Sequence, residues 1–293
     1  MRTSSKSVVV GLSGGLGNQL FQYAAGRALS LKLEVDLVLD TSWFHGQPER
    51  AYALEPFSIN AKTYSGPVLL PKWIKGLESR LARRWARRRF DVPIYREPHF
   101  HFDNEFSSVQ DPVYLEGFWQ SEQYFMGCKE IIARELTLKA GPTDQFKLIA
   151  NHIQSSDAIC IHIRRGDYVT NPIASQMHGL CSLDYVYKGV IEVAKDLNIP
   201  HCFIFSDDPE WVHKNLKLDL PFTVIDIATP HEAHLDLSLM TQCKYFVIAN
   251  SSLSWWGAWL SPYPLKRVIA PLNWFASSKI RTDDLIPQTW KRL

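Results

Sequence analysis

Short apolar runs alternate with segments of helical spacing along most of this chain. Val8-Val-Val10 reads as a buried strand, followed by the loop Gly11-Leu-Ser-Gly-Gly-Leu-Gly-Asn18, a helix from Gln19 to Lys32 and a second strand from Leu33 to Leu39. This is a β-loop-α-β unit whose glycines let backbone come close to a ligand. Residues 41–115 are less regular and rich in proline and aromatics. Within them Trp73, Leu77, Leu81 and Trp85 recur every four residues among six arginines at 80, 83, 84, 87, 88 and 89, which predicts a basic amphipathic helix from Lys72 to Arg89. Tyr114 to Gln120 reads as a strand and its exit loop, with Ser121 as N-cap of a helix running to about Thr137.

Gly141-Pro142 punctuates the chain, and the pattern beyond it becomes a steady alternation of strand and helix. The apolar run from Ala158 to Ile163 is followed by a long loop, a helix from Ser182 to about Leu197, the strand from His201 to Phe205, a short helix after Pro209 and the strand from Phe222 to Ile225. Next come a helix from His231 to Gln242, the strand from Tyr245 to Ala249, a helix around Ser254 to Leu260 and the strand from Arg267 to Ala270. Strands spaced by helices imply parallel crossovers, so the expectation is α/β with two doubly wound domains facing across a cleft, 1–142 and 143–275, and a tail, 276–293, returning to the first.

Composition narrows the function classes. With 46% hydrophobic and 21% charged residues and a formal net charge of +2 over 293 residues, nothing demands nucleic acid. No run of 18 apolar residues occurs, and Met1-Arg-Thr-Ser-Ser-Lys leads into the valine strand rather than a signal-peptide core, so a cytoplasmic protein is expected. Five cysteines without a Cys-x-x-Cys pair suggest neither disulfides nor zinc, and Cys160 and Cys202 read as small core residues.

The chemistry concentrates at three strand ends of the second half: His162-Ile-Arg-Arg-Gly-Asp167, Phe205-Ser-Asp-Asp208 and Asn250-Ser-Ser-Leu-Ser254. Two adjacent arginines after a buried strand cannot both pack, because guanidinium keeps its proton and needs acceptors for five N–H groups. One should meet an anion, while an Arg165–Asp167 pair closing a turn at Gly166 is the plain alternative for the other. A serine-rich helix start is an anion seat, so together these ends point to a phosphate or diphosphate at the carboxyl edge of a sheet. Asp207-Asp208-Pro209 lacks the Asp-x-Asp spacing of metal-dependent sugar-nucleotide transferases and reads as a hydrogen-bonding pair or cap. Arg164 would then take up the charge of a departing diphosphate in place of a metal. In the first half, Gly15-x-Gly17 with Asp40 at ribose distance is an imperfect dinucleotide fingerprint, which keeps a nicotinamide-dependent oxidoreductase in view. The many aromatics keep a non-catalytic carbohydrate binder in view as well.

These stretches, together with Gly14-Gly-Leu-Gly-Asn-Gln19, Gly117-Phe-Trp-Gln-Ser-Glu122 and Asp236-Leu-Ser-Leu-Met through Tyr245-Phe-Val-Ile-Ala-Asn-Ser-Ser-Leu-Ser-Trp-Trp-Gly-Ala-Trp259, resemble the bacterial α-1,2-fucosyltransferases of glycosyltransferase family 11. The resemblance spans Val8 to about Trp274. It implies a GT-B fold, GDP-L-fucose as donor, the 2-hydroxyl of a terminal β-galactoside as acceptor, inversion at the anomeric carbon, and no metal or other cofactor. Surface polysaccharide of the O-antigen kind is the implied product. Apart from the resemblance, the six arginines suggest peripheral membrane contact through Lys72 to Arg89, while a core-facing stripe with solvated arginines is the plainer reading of that helix. By the same resemblance Arg164 meets the β-phosphate, His162 lies near the nucleotide, Asp236 near guanine, Ser252 at the diphosphate, and Asn18 approaches fucose and the leaving oxygen. Arg165, Asp207, Asn250 and Ser251 complete the expected donor set; Gln19, Glu116 and Trp119 form the expected acceptor set. Related protein O-fucosyltransferases carry an arginine where this chain has Gly15, so no other loop role is carried over. For the proton of the attacking hydroxyl, Asp167, Glu116 and the leaving phosphate itself remain alternatives. Trp119, Trp255 and Trp256 could stack on a sugar, although packing is the ordinary fate of tryptophans beside apolar runs.

Overall fold

The computed structural model describes residues 6–293 apart from 46, 48–49, 67–89, 142, 230–231 and 278, and omits the side chains of 167, 170, 173 and 174. The basic helix expected from Lys72 to Arg89 therefore lies outside the described residues. The chain forms two compact units, Met1–Lys139 with Asp283–Leu285, and Ala140–Thr282 with Ile286–Leu293.

In the first unit, β1 (Ser7–Gly11), β2 (Asp36–Asp40), β3 (Lys62–Tyr64), β4 (Ile94–Arg96) and β5 (Val113–Glu116) build an all-parallel sheet in the order β3-β2-β1-β5-β4. The three valines of β1 are wholly buried, as befits the central strand of a sheet covered on both faces. Helix α1 (Leu16–Leu33) crosses from β1 to β2 and lies close against the sheet. A Cβ on its Gly26 would fall 2.2 Å from a methyl of Val10, a distance only glycine permits.

Two element boundaries differ from the pattern. Helix α1 begins three residues before Gln19 and runs through Leu33, ending where Glu34 takes a left-handed φ of 57°; the strand starts only at Asp36. Hydrophobic spacing does not mark a residue that turns left-handed. Ser121 does cap, accepting from the Gln123 N–H, but it caps a 3-10 turn, Glu122–Tyr124, followed by a second, Met126–Cys128, before α2 (Lys129–Glu135). The helix is interrupted at Phe125, whose φ is −138° and whose buried ring meets Phe21 of α1 at 6.1 Å.

The second unit carries α3 (Asp144–Gln154), β6 (Asp157–Ile163), α4 (Gly166–Thr170), α5 (Pro172–His178), α6 (Leu183–Ala194), β7 (Pro200–Ser206), α7 (Pro209–Asn215) and β8 (Phe222–Ile225). It continues with α8 (Ala233–Met240), β9 (Tyr245–Val247), α9 (Ser252–Leu260), β10 (Arg267–Ala270) and β11 (Lys291–Arg292). Its six strands are parallel in the order β11-β10-β9-β6-β7-β8. Ala158 to Ile161 of β6 are fully buried. Helix α6 turns Val186, Val190 and Val193, three and four residues apart, onto the core that contains Ile159, Ile161 and Val247. The segment expected as a long loop after β6 holds two short helices. Of the tail expected to return to the first domain, Asp283–Leu285 groups with the first unit, where the Ser121 hydroxyl donates to the Asp284 carbonyl at 3.1 Å. Ile286–Leu293 instead stays with the second unit and adds β11 beside β10.

Strand order reverses between β1 and β5 in one sheet and between β6 and β9 in the other. Open parallel sheets bind ligands outside the carboxyl ends of their strands at such points, because the crossovers leave in opposite directions and open a crevice. No described helix is long and apolar enough to cross a membrane.

Candidate functional site

At the reversal in the second sheet, β6 delivers His162 and Arg164. His162 is buried, and its Nδ1 lies 2.9 Å from the Ser254 hydroxyl in the first turn of α9. Burial pulls its imidazole down to about 4, with Asp207 opposing and Arg164 reinforcing the shift, so the ring is neutral at pH 7. The Arg164 guanidinium donates from Nη1 to Asp207 Oδ2 at 2.9 Å and stands 5.6 Å from the centre of the Tyr168 ring. Asp207, at the end of the neighbouring β7, also accepts the Arg165 N–H through Oδ1 at 2.8 Å. A Cβ on Gly166 would come within 2.3 Å of Asp207 Oδ2, so this clasp closes only over a glycine. One carboxylate thus holds both the charge and the backbone of the arginine turn.

The second arginine makes contacts that the sequence pattern did not predict. Arg165 lies over the Trp211 ring, its Cζ 3.7 Å from the centroid, and pairs with Asp208 at 3.4 Å. Asp208 also caps α7, accepting the Trp211 N–H at 3.1 Å. Arg165 is therefore tied to the helix that follows β7, and Asp207 and Asp208 act as clasp and cap. Asp167 sits in α4, and its side chain lies outside the described residues.

Helix α9 starts beside the end of β6. Ser251 occupies its N-cap position without making a side-chain capping bond, and Ser252 is its first residue. The N-terminus of that helix and the hydroxyl of Ser251 give the strand ends an anion-binding character that matches Arg164. Asn250, expected at the donor, is instead a buried strut: its amide N–H groups donate to the carbonyls of His178, Gly179 and Trp274, and its side-chain oxygen accepts from the Cys181 thiol at 3.5 Å. Trp255 and Trp256 are both core residues with no exposed surface. In the first turn of α8, burial and the nearby Asp226 push the Asp236 carboxyl up to about 7.

The expected acceptor set divides as well. Gln19 is fully buried, donating to the Gly14 and Ala51 carbonyls and accepting the Ala53 N–H, so it staples the glycine loop rather than meeting a ligand. Trp119 is also fully buried, with φ 57°, among Tyr95, Phe106 and Tyr124. Its indole N–H has no acceptor among the described residues, so packing holds it. The left-handed turn drives Trp119 inward and leaves its neighbour Phe118 42% exposed. Asn18 lies in the first turn of α1, its side-chain oxygen accepting from Gln120 at 2.9 Å. Glu116 ends β5 and pairs with Arg96 at 2.9 Å. Asp40 is no ribose partner in this structure: it is buried, accepting the Ser42 N–H and the Tyr114 hydroxyl.

A cavity of about 230 Å³ opens at the reversal of the first sheet, lined by Gly11, Leu12, Ser13, Asp40, Trp43, Tyr114 and residues 116–118. Sequence reasoning passed over Trp43 and Phe118. It also passed over Glu97, just beyond β4, which accepts the Phe118 and Trp119 N–H groups at 2.7 and 2.9 Å and is pushed up to about 7 by burial. A lone acid in a proline- and histidine-rich stretch carries no local sign of such a role.

The family model described as glycosyl transferase family 11 matches residues 73–293. An alpha-1,2-colitosyltransferase of Escherichia coli is 33% identical to this chain, over 98% of both proteins. The O-antigen biosynthesis glycosyltransferase WbnK of Escherichia coli is 30% identical over 94% of this chain and 98% of its own length. Among solved structures, the fucosyltransferase NodZ from Bradyrhizobium aligns with a TM-score of 0.50 at 14% identity, covering 89% of this chain and 95% of that one; the likeness shows the fold, which is α/β and GT-B-like. With this fold, and with a family match over most of its length and near-full-length relatives, the chain is a glycosyltransferase and belongs to glycosyl transferase family 11.

Proposed function

We propose that this glycosyltransferase moves L-fucose from GDP-L-fucose to the 2-hydroxyl of a terminal β-galactoside, with inversion and without a metal, during assembly of an O-antigen-like polysaccharide. The observation that carries the reading is Arg164, clasped by Asp207 beside the start of α9 at the reversal of the second sheet. When the bond from the anomeric carbon to the phosphate oxygen breaks, the electron pair stays with GDP. Arg164 and the first-turn amides of α9 stabilise that charge. Asp207 releases the guanidinium to the diphosphate while keeping the Arg165 amide. Asp236, a buried carboxyl near neutrality, suits the N–H groups of guanine. The proton of the attacking hydroxyl passes to Asp167, to Glu116 or to the departing phosphate. Asp207 and Asp208 are engaged with arginines and a helix cap, which supports the metal-free reading.

The colitosyltransferase relative favours a second reading for the sugar alone. Colitose is L-fucose without its 3-hydroxyl, so one hydrogen bond separates the two donors. A site built to bond a hydroxyl rejects the analogue lacking it by about 10⁴–10⁵, whereas a site that ignores it discriminates weakly. Purified protein given GDP-fucose or GDP-colitose, with β1,3- and β1,4-linked galactosides and excess EDTA, is expected to turn over GDP-fucose and to keep doing so under chelation. Turnover confined to GDP-colitose, or restored only by manganese or magnesium, would overturn the corresponding part. Peripheral membrane contact through Lys72 to Arg89 belongs to the same proposal. Salt-sensitive pelleting with anionic but not neutral vesicles is expected; equal, negligible pelleting in both would remove it.

A further inference from the structure

We propose that Tyr168 is a positioning residue for glycosyl transfer, fixing Arg164 and the start of α9, the two halves of the anion seat, in one geometry. The inference rests on the reading of that seat as the donor's diphosphate site, and not on which sugar the donor carries.

The sheet ladder does not reach these two halves. Strands β6 and β9 are paired from Ile159 and Tyr245 to Ile161 and Val247. Arg164 and Asn250 each lie three residues further on, level with one another but past the last paired position, and α9 begins after Asn250. A cation and a helix start that must meet one diphosphate therefore need side-chain ties beyond the ladder. His162 supplies one through its bond to Ser254. Tyr168 supplies another, directly between the level ends.

The local chain puts it there. The Val169 N–H donates to the Arg165 carbonyl at 2.9 Å, so a helical turn starts at the arginines and Tyr168 falls beside Arg164, four residues on. The Arg164 Cζ stands over the Tyr168 ring, 5.6 Å from its centre, where the ring face attracts the guanidinium. The hydroxyl of the same buried residue donates to the Asn250 carbonyl at 3.0 Å, one residue before the Ser251 N-cap. One rigid side chain thus spans from the cation to the helix start.

The ring is itself held. His178 stacks on it with parallel planes and centroids 4.7 Å apart, and the His178 carbonyl accepts from the Asn250 side chain at 2.8 Å. Tyr168, Asn250 and His178 therefore close a triangle of two hydrogen bonds and one stack. This gives a purpose to the Asn250 strut, which also bonds the Gly179 and Trp274 carbonyls. Asp207 grips Arg164 by charge and must yield its hydrogen bond when a diphosphate arrives. The Tyr168 ring makes no such demand, because a contact over a ring face leaves the guanidinium N–H groups to the phosphate oxygens. Its hold persists into the transition state, where the charge on the leaving oxygen is greatest.

The test is kinetic, using GDP-fucose or GDP-colitose, whichever the wild type turns over, with a β-galactoside acceptor at a temperature where circular dichroism shows every variant folded. Tyr168→Phe keeps the ring and loses the bond to Asn250; kcat should fall about tenfold, and about 10²-fold in Tyr168→Leu, the loss a displacement near 1 Å brings. The acceptor KM should stay within about twofold of wild type. A double-mutant cycle separates positioning from general damage. In an Arg164→Lys background, Tyr168→Leu should cost about fivefold or less, since the fork it places has already gone. Wild-type kcat in Tyr168→Phe, or the same loss from Tyr168→Leu in the lysine background as in the native one, would overturn the inference. Wild-type protein that neither binds GDP nor turns over either GDP-sugar would remove the donor reading and this inference with it. Turnover by the wild type beside an unaffected Tyr168→Phe would remove the inference alone.

Discussion

The two sheets share a topology and differ in chemistry. Both are all-parallel, both reverse strand order beside a central buried strand, and both place their polar side chains beyond the carboxyl ends at that reversal. In the first sheet those ends carry Asp40, Glu116, Trp43 and Phe118; in the second they carry His162, Arg164, Asp207 and the serines before α9. The comparison teaches that topology decides where a crevice opens, whereas the charge set at the strand ends decides what enters it. A guanidinium beside a helix start suits a diphosphate, whereas the acids of the first sheet are tied to Arg96 and Tyr114.

The sharpest way to break this contrast is to remove the cation. Arg164→Ala is expected to lower kcat by about 10²–10³, and Arg164→Lys nearly as much, because a point charge cannot reproduce a guanidinium fork. Turnover by the lysine variant within a few-fold of wild type would make Arg164 a structural residue.

A smaller effect should come from moving the cation without deleting it. In Gly166→Ala the added carbon collides with Asp207 and opens the clasp, displacing Arg164 by a fraction of its reach; a loss near 10²-fold in kcat/KM is expected with an unchanged melting temperature. Wild-type kinetics in this variant would show that the clasp has no part in placing Arg164.

Among the described residues, each unit also holds a carboxyl pushed up to about 7 by burial, Glu97 in the first and Asp236 in the second. A folded-state value above the unfolded one, about 4, means the folded chain keeps a proton that the unfolded chain has lost. The stability this contributes is complete below about pH 4 and disappears as pH rises through about 7. Glu97→Gln and Asp236→Asn should each flatten the decline in melting temperature over that window. His162 works in the opposite sense: its value is depressed to about 4, so its contribution is present above about 6.5 and lost as pH falls through 4. Unaltered pH profiles in both carboxyl variants would mean that neither group titrates as its burial dictates.

The smallest effect belongs to the exposed rim. Lys62 and Asp36 pair at 2.5 Å on β3 and β2 with side chains 71% and 53% exposed, and Lys62→Ala should cost about 0–1 kcal/mol by urea denaturation. A cost above about 2 kcal/mol would show that the first sheet depends on its edge pairs.

What was legible in the chain follows from how far each residue's partners lie along it. Arg164 stood out because the run before it is apolar and the change to charge is abrupt. Ser121 was legible as a cap because the amide it serves is two residues away. Gln19 and Asn250 read as ligands because a polar side chain beside a loop signals availability, yet their amides bond to carbonyls 32 and 72 residues distant. Trp119, read as an acceptor residue, is buried at a left-handed backbone angle that no local pattern announces, and its neighbour Phe118 is the exposed one. Glu97 was silent because its partners belong to another strand's exit.

The sequence by itself determined the parallel α/β architecture, the central strands and the arginine turn, since periodicity, strand-end polarity and capping act within a few residues. Only the tertiary structure decided which polar groups are already spent, that Asp207 clasps Arg164, and that Phe118 rather than Trp119 meets solvent. Those outcomes depend on burial and on hydrogen bonds between segments tens of residues apart, and the free energy of a polar side chain is set by the partner it finds there.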